Sequence, residues 1–267
     1  MFPILSSKEL REIFKAIEEN KEEIETSLDL NLTRIKIRLC KEGFYINNEL
    51  IKLKKIKEND KSCYLVRKNQ LEKVQYFAGN KLYKLIPTEF RPILKISGTS
   101  MHKKEFLEQL KKDKLKGLIL DSGTGLGYSS IIASNTAEKV ITIEIDENVV
   151  EIAKLNPYSQ ELFTNKNIKM IIGNIVEEIK KFQDKEFNNI IFDAGTVKGS
   201  EEFFSLNNYK EAFRVLKPRG KLYHYLPKHQ IKRGRNFTSE VISRLKTAGF
   251  KRVYKNKEDS YIIAERF

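Results

Sequence analysis

Cysteine is scarce. Cys40 and Cys63 are the only two in 267 residues, with no CxxC pair and no clustered histidines, so a disulfide framework and a structural zinc are excluded and reduced thiols are expected. Long apolar runs are missing too. No stretch approaches the roughly 18 apolar residues of a membrane span, and Met1 to Leu10 lacks the apolar core of a secretory signal. A cytoplasmic protein with no membrane partner is therefore expected. Acid is in deficit, with 36 Asp and Glu against 50 Lys and Arg and a formal net charge of +14, which favours acidic partners. Hydrophobic residues are not in deficit: at 40% they suffice for a core, so a disordered chain is excluded.

The charge is unevenly placed. Residues 1–50 carry a net −2, residues 51–100 carry +8, residues 101–210 carry −2 and residues 211–267 carry +10. Two basic blocks around a balanced middle suggest a phosphate-bearing substrate, with nucleic acid foremost. The alternative is compositional, since many of these cations are lysines among Ile and Asn and could simply be solvated.

Periodicity divides the chain in two. Leu10, Ile13, Phe14, Ile17 and Ile24 recur at helical spacing, predicting one amphipathic helix from Ser6 to about Thr26. Alternation follows, through Leu28, Leu30 and Leu32, then Ile35, Ile37 and Leu39. Short strand-like runs continue to Leu82–Ile86, with Asn47-Asn48 as a turn. Pro87 and Pro92 mark a boundary near residue 95, giving a small α+β domain over 1–95 and a second domain over 96–267. The second alternates strand and helix in the manner of a doubly wound α/β sheet. Strands are predicted at Leu118–Leu120, Val140–Ile145, Ile168–Ile172, Asn189–Phe192, Lys221–Tyr225, Lys251–Tyr254 and Tyr261–Glu265, and helices after Asp146, over Asn208–Leu216 and over Thr238–Ala248.

The segment richest in chemistry is Asp121-Ser-Gly123-Thr-Gly125-Leu-Gly127-Tyr128, directly after the first of these strands. Its glycines permit a sharp turn and close approach to a nucleotide-type cofactor. A dinucleotide fingerprint would need glycine where Tyr128 stands. Asp121, two residues before the first glycine, suits a cofactor carrying ammonium and sulfonium charge better than a pyrophosphate. Glu144, at the end of the second strand, is placed to accept hydrogen bonds from both ribose hydroxyls. Asn174, after the third strand, could meet an adenine edge or simply form a turn with Gly173. Ile145 and Ile175 complete this cofactor-binding set.

The chain resembles the class I S-adenosylmethionine-dependent methyltransferases over about residues 96–267. More narrowly, Ile96-Ser-Gly-Thr-Ser-Met-His102, Asp121 to Tyr128, Ile143-Glu-Ile-Asp-Glu-Asn-Val-Val150 with Leu155-Asn-Pro157, Arg214-Val-Leu-Lys-Pro218 and Leu222-Tyr-His-Tyr225 are similar to an archaeal group of methyltransferases related to spermidine synthases. Ser27-Leu-Asp-Leu-Asn31 resembles the leader region of that group. The resemblance implies a Rossmann-like, seven-stranded, mostly parallel sheet with the last strand inserted antiparallel. S-adenosyl-L-methionine would lie across its carboxyl edge. His102, which precedes the cofactor turn, could line the methionine end or be an ordinary histidine hydrogen-bonded to backbone.

Asp193, ending the fourth strand, is the candidate reaction centre, because methyl transfer is an in-line displacement in which the enzyme positions the nucleophile and removes a proton. Relatives that methylate base amines carry a [DN]PP motif there, whereas this chain reads Asp193-Ala194-Gly195-Thr196. Loss of catalysis, leaving a binding module, is thus one alternative. Aminopropyl transfer is another, although spermidine synthases place a further aspartate shortly after the fourth-strand acid, where Thr196, Val197 and Lys198 stand here. His224 and Tyr225, at the end of the fifth strand, are candidates to take a proton. Lys232, Arg233 and Arg235 lie in a loop on the same edge and could grip a phosphate. Together these residues predict a methyltransferase acting on RNA, with a small molecule or a protein as the alternative substrate. Tyr64, Tyr76, Phe77 and Tyr83, interleaved with the first basic block, could stack on bases or pack in the core.

Overall fold

The computed structural model describes residues 2–53, 55–100, 104–193, 201–226, 236–256 and 260–267. They form two compact units: Met1–His102 with Asn148–Gln160, and Lys103–Glu147 with Glu161–Phe267.

The second unit is built on strands β1 (Leu118–Ser122), β2 (Lys139–Glu144), β3 (Ile168–Ile172), β4 (Phe187–Phe192), β5 (Leu216–Tyr225), β6 (Arg252–Lys255) and β7 (Tyr261–Glu265). They hydrogen-bond in the order β3-β2-β1-β4-β5-β7-β6. β1 to β5 are parallel, while β7 runs antiparallel between β5 and β6. Near-continuous apolar runs suit such strands because both faces are covered. Leu120, Ile190, Leu222 and Ile262 pack on one face with Tyr209, Ala212, Val241 and Leu245 from the helices Leu206–Val215 and Phe237–Ala248. On the other face Ile119, Ile191, Tyr223 and Ile263 pack with Phe106 and Leu110, from the helix Lys104–Asp113. Each buried Leu, Ile, Val or Phe among them contributes about 1.5–3 kcal/mol. The strand order reverses between β1 and β4, which leaves a crevice beyond their carboxyl ends, the usual ligand position in open α/β sheets.

The first unit holds the helix Ser7–Glu18 and small antiparallel sheets. Ser6 and Glu9 form a capping box, and Leu10, Ile13 and Ala16 bury one helix face against Phe44, Ile51 and Tyr64. Asn47 and Asn48, both at positive φ, make the tight turn between Gly43–Ile46 and Glu49–Lys52.

Two expectations fail in this unit. The helix predicted to reach Thr26 ends at Glu18, because Asn20 turns to φ 54° and Glu23–Thr26 pairs as a strand with Ile35–Arg38. The alternation at Leu28, Leu30 and Leu32 is no strand: Leu30 and Asn31 take φ 56° and 74°, and Ser27 Oγ accepts the Asn31 amide hydrogen bond at 2.8 Å. Ser and Asp turn chemistry overrides the hydrophobic pattern there. No helix among the described residues is long and apolar enough to cross a membrane.

Candidate active site

The turn after β1 is defined by its backbone. Gly127, at φ 78°, starts the helix Tyr128–Ser134, and a Cβ on it would meet Leu162 at 2.8 Å. Only glycine fits there. A Cβ at Gly125, by contrast, would meet only the Gly123 carbonyl, at 3.7 Å, so the space beside the turn is open for a ligand.

Asp121 is completely buried. Its carboxylate accepts hydrogen bonds from Ser129 Oγ at 3.0 Å, from Thr142 Oγ1 at 3.0 Å and from Ser130 Oγ. The Thr142 hydroxyl gives its one proton to Asp121, so Thr124 is the donor in the 2.6 Å contact between the two threonines. Sequence reading missed these hydroxyls; the Ser129-Ser130 pair, two and three residues past Gly127, was the available signal. Burial pushes the Asp121 carboxyl up to about 7, an effect that the Ser130, Thr142 and Ser129 hydroxyls oppose and the Asp193 charge reinforces.

Glu144 is nearly buried, and both oxygens accept backbone amides: Gly125 N at 2.9 Å and Asp146 N at 3.0 Å. Burial raises its carboxyl above the ordinary value and the Gly125, Asp146 and Ile145 amides oppose the rise. The acid thus ties the glycine turn to the end of β2. Next to it Ile145 is 67% exposed, an apolar plate beside a hydrogen-bonding carboxylate. Asn174 caps the short helix Ile175–Glu178 by accepting the Val176 amide at 3.0 Å, so its carbonyl is engaged and its amide group is what it offers a ligand. The side chain of Ile175 packs in the core.

Asp193 follows β4 directly; its amide donates to Ser122 O at 3.1 Å and its side chain is buried. Its charge acts on both Asp121 and Tyr225. Asp121, Asp193 and Tyr225 therefore form one electrostatic group where the strand order reverses. Burial lifts the Tyr225 hydroxyl to about 12, with Asp193 and Glu105 adding to the shift, so it stays protonated as a donor. Ser122 Oγ, buried between Asp121 and the turn, makes no hydrogen bond among the described residues.

His224 does not join them. It is fully buried among Phe192, Phe203, Phe204 and Tyr209. The carbonyl of Phe192 can only accept, so Nδ1 carries the hydrogen (3.3 Å) and Nε2 accepts from the Tyr209 hydroxyl at 2.9 Å. Burial pushes the imidazole down to about 4, only partly opposed by the Phe192 carbonyl. The expectation that His224 takes a proton at the sheet edge is corrected: it is a neutral core residue. His102, Lys232, Arg233 and Arg235 lie outside the described residues.

A family model described as a methyltransferase domain matches residues 113–265, more than half of the chain. The chain belongs to the methyltransferase-domain family. An uncharacterized protein of Methanocaldococcus jannaschii is 35% identical over 282 residues, covering 97% of this chain and 94% of that one. A polyamine aminopropyltransferase of Prochlorococcus marinus is 28% identical across 56% of this chain and 52% of its own length. The structure of spermidine synthase from Thermotoga maritima superposes with a TM-score of 0.58 at 19% identity, covering 78% of this chain and 76% of that one. This methyltransferase-domain protein accordingly carries a class I methyltransferase-like domain and shares its fold with the spermidine synthase of Thermotoga maritima.

Proposed function

We propose that the protein transfers a methyl group from S-adenosyl-L-methionine to RNA. The observation that carries the reading is the placing of two buried carboxylates, Asp121 on β1 and Asp193 directly after the adjacent β4, at the strand-order reversal beside the open glycine turn. Two carboxylates in a poorly solvated crevice attract a cationic ligand strongly. The donor set fits that cofactor: Asp121 toward the cationic end, Glu144 toward ribose hydroxyls, Ile145 against the adenine face and the Asn174 amide toward an adenine ring nitrogen. When bound, the cofactor supplies a methyl group on a positively charged sulfur. The protein then has to orient the nucleophile and accept its proton, for which Asp193 is the placed carboxylate and Tyr225 a hydrogen-bond donor.

RNA is favoured by the basic blocks, +8 over residues 51–100 and +10 over 211–267, against −2 for the cofactor-binding middle. The second reading, transfer to an amine, is supported by the Prochlorococcus relative's name. Lys198, close after Asp193 in sequence, would repel a polyamine.

The test offers the purified protein methyl-labelled S-adenosylmethionine with unmodified RNA, DNA, protein extract and polyamines in separate reactions. Nuclease-sensitive label in RNA is the expected result. Label in the polyamine fraction, or aminopropyl transfer from the decarboxylated cofactor, would replace this reading by the second.

A further inference from the structure

Four aromatic residues are interleaved with the first basic block, and the fold separates them. Tyr64 and Tyr83 are buried, Tyr76 stacks on Tyr83 with ring centroids 5.5 Å apart, and Phe77 stands 75% exposed. Phe77 lies on Gln75–Ala78, which pairs antiparallel with Lys81–Ile86, which in turn pairs with Ile93–Ile96. Side chains alternate across such a sheet. Tyr83, Leu85 and Leu94 point inward and are buried, so Gln75, Phe77, Lys84 and Lys95 share the outward face.

The register makes that face unusual. Gln75 stands opposite Lys84, and Lys84 opposite Lys95, so two lysines are direct cross-strand neighbours. Like charges so placed repel and destabilise the sheet. Neither lysine makes an ion pair among the described residues. Phe77, opposite Leu82, lies one row away, roughly 7 Å along the strand. A paired cation row beside an exposed ring complements a ligand that repeats an anion and a flat π-face at short intervals. Single-stranded nucleic acid has that chemistry, whereas a duplex hides its base faces.

We propose that this outward face binds single-stranded RNA, one base stacking on Phe77 and the adjoining phosphodiester bridging Lys84 and Lys95. The choice of RNA among single strands rests on the reading given under Proposed function; the surface itself does not depend on methyl transfer.

The test measures fluorescence anisotropy of a labelled, unstructured RNA 12-mer and its duplex, between 50 and 200 mM salt, with the full-length protein. Phe77→Ala is expected to weaken single-strand binding about tenfold and Phe77→Trp to retain it. Lys84→Gln with Lys95→Gln should reduce the slope of log affinity against log salt by about 1.4, or ~0.7 per lysine. The duplex should respond little to Phe77→Ala. If the wild type binds the 12-mer and all variants bind it equally, the surface is wrong and the RNA reading survives. If the wild type binds cofactor but no RNA, both fall. If Phe77-dependent binding occurs without labelling of any RNA, the surface stands and the methylation reading falls. If Phe77→Ala instead converts a dimer to a monomer in sedimentation, the face joins copies of the chain and the proposal is overturned.

Discussion

The carboxyl edge of the seven-stranded sheet and the outward face of Gln75–Ala78, Lys81–Ile86 and Ile93–Ile96 concentrate opposite charges under opposite conditions. At the edge, Asp121, Glu144 and Asp193 are 0%, 6% and 5% exposed, and Asp121 and Glu144 are held by hydroxyls and backbone amides. On the outward face the half-buried Lys84 and Lys95 stand opposite one another. A buried charge without hydrogen bonds would cost several kcal/mol, so the protein builds a cage around it and the cage tunes its proton affinity. A half-buried surface pair needs no cage; it contributes to binding mainly by releasing counterions when phosphates replace them. One region should therefore respond to pH and the other to salt.

The largest expected break in that comparison is Asp193→Ala. On the proposed role of Asp193 as acceptor of the nucleophile's proton, its removal should slow transfer about 10²- to 10⁴-fold in single-turnover assays at saturating cofactor, and should also weaken binding of the cationic cofactor. Because the Asp193 charge helps to hold Asp121 near 7, the same variant should also lower the Asp121 titration. Unchanged transfer would remove Asp193 from the reaction. Next in size is Glu144→Gln, which turns one acceptor into a donor facing the amides of Gly125 and Asp146. Lost charge-assisted bonds of about 1.5–3 kcal/mol predict roughly 10- to 100-fold weaker cofactor binding by calorimetry, with RNA binding to the outward face intact.

The sequence made much of this edge legible because glycine, acid and strand-end spacing are local. Asp121, Glu144 and Asp193 were placed near strand ends by position alone, and the antiparallel last strand followed from the family resemblance. The hydroxyl cage was less visible: Thr142 reaches Asp121 only through the β1/β2 register. His224 was misread because an imidazole at a strand end looks reactive until Phe203 and Phe204, some twenty residues earlier in the chain, close over it. In the first unit, hydrophobic spacing carried the helix past its true end, since the pairing of Glu23–Thr26 with Ile35–Arg38 is a tertiary fact. Phe77 could not be told from Tyr83 by composition; the sheet's inside and outside decide between them.

A smaller effect sharpens the pH side of the comparison. The folded Asp121 carboxyl titrates near 7 against an ordinary value of 3.8. Between about pH 4 and 7 the folded chain therefore holds a proton that the unfolded chain has released. Stability must fall as pH rises through that window, at most by about 1.4 kcal/mol per pH unit, and level off above 7. Asp121→Asn should remove this slope in urea unfolding at pH 5 and 7.5. It should also abolish a rise in affinity for the sulfonium cofactor between pH 6 and 8 that its neutral thioether product does not share. A wild-type affinity independent of pH would mean that Asp121 serves the turn and not the ligand.

The smallest effect belongs to the salt side. Lys95→Gln removes one member of the cross-strand pair while leaving a long, flexible, polar side chain, so the free protein should become more stable by about 0.2–1 kcal/mol. Urea midpoints at 20 mM salt would show the gain. At 0.5 M salt it should largely vanish, because the Debye length shrinks to a few ångströms, below the reach of the pair. Asp121→Asn, whose effect arises in a site closed to ions, should keep its sign and most of its size under the same salt change. If the Lys95→Gln gain persists at high salt, its origin is packing, and the cation row has no repulsion for an RNA phosphate to relieve.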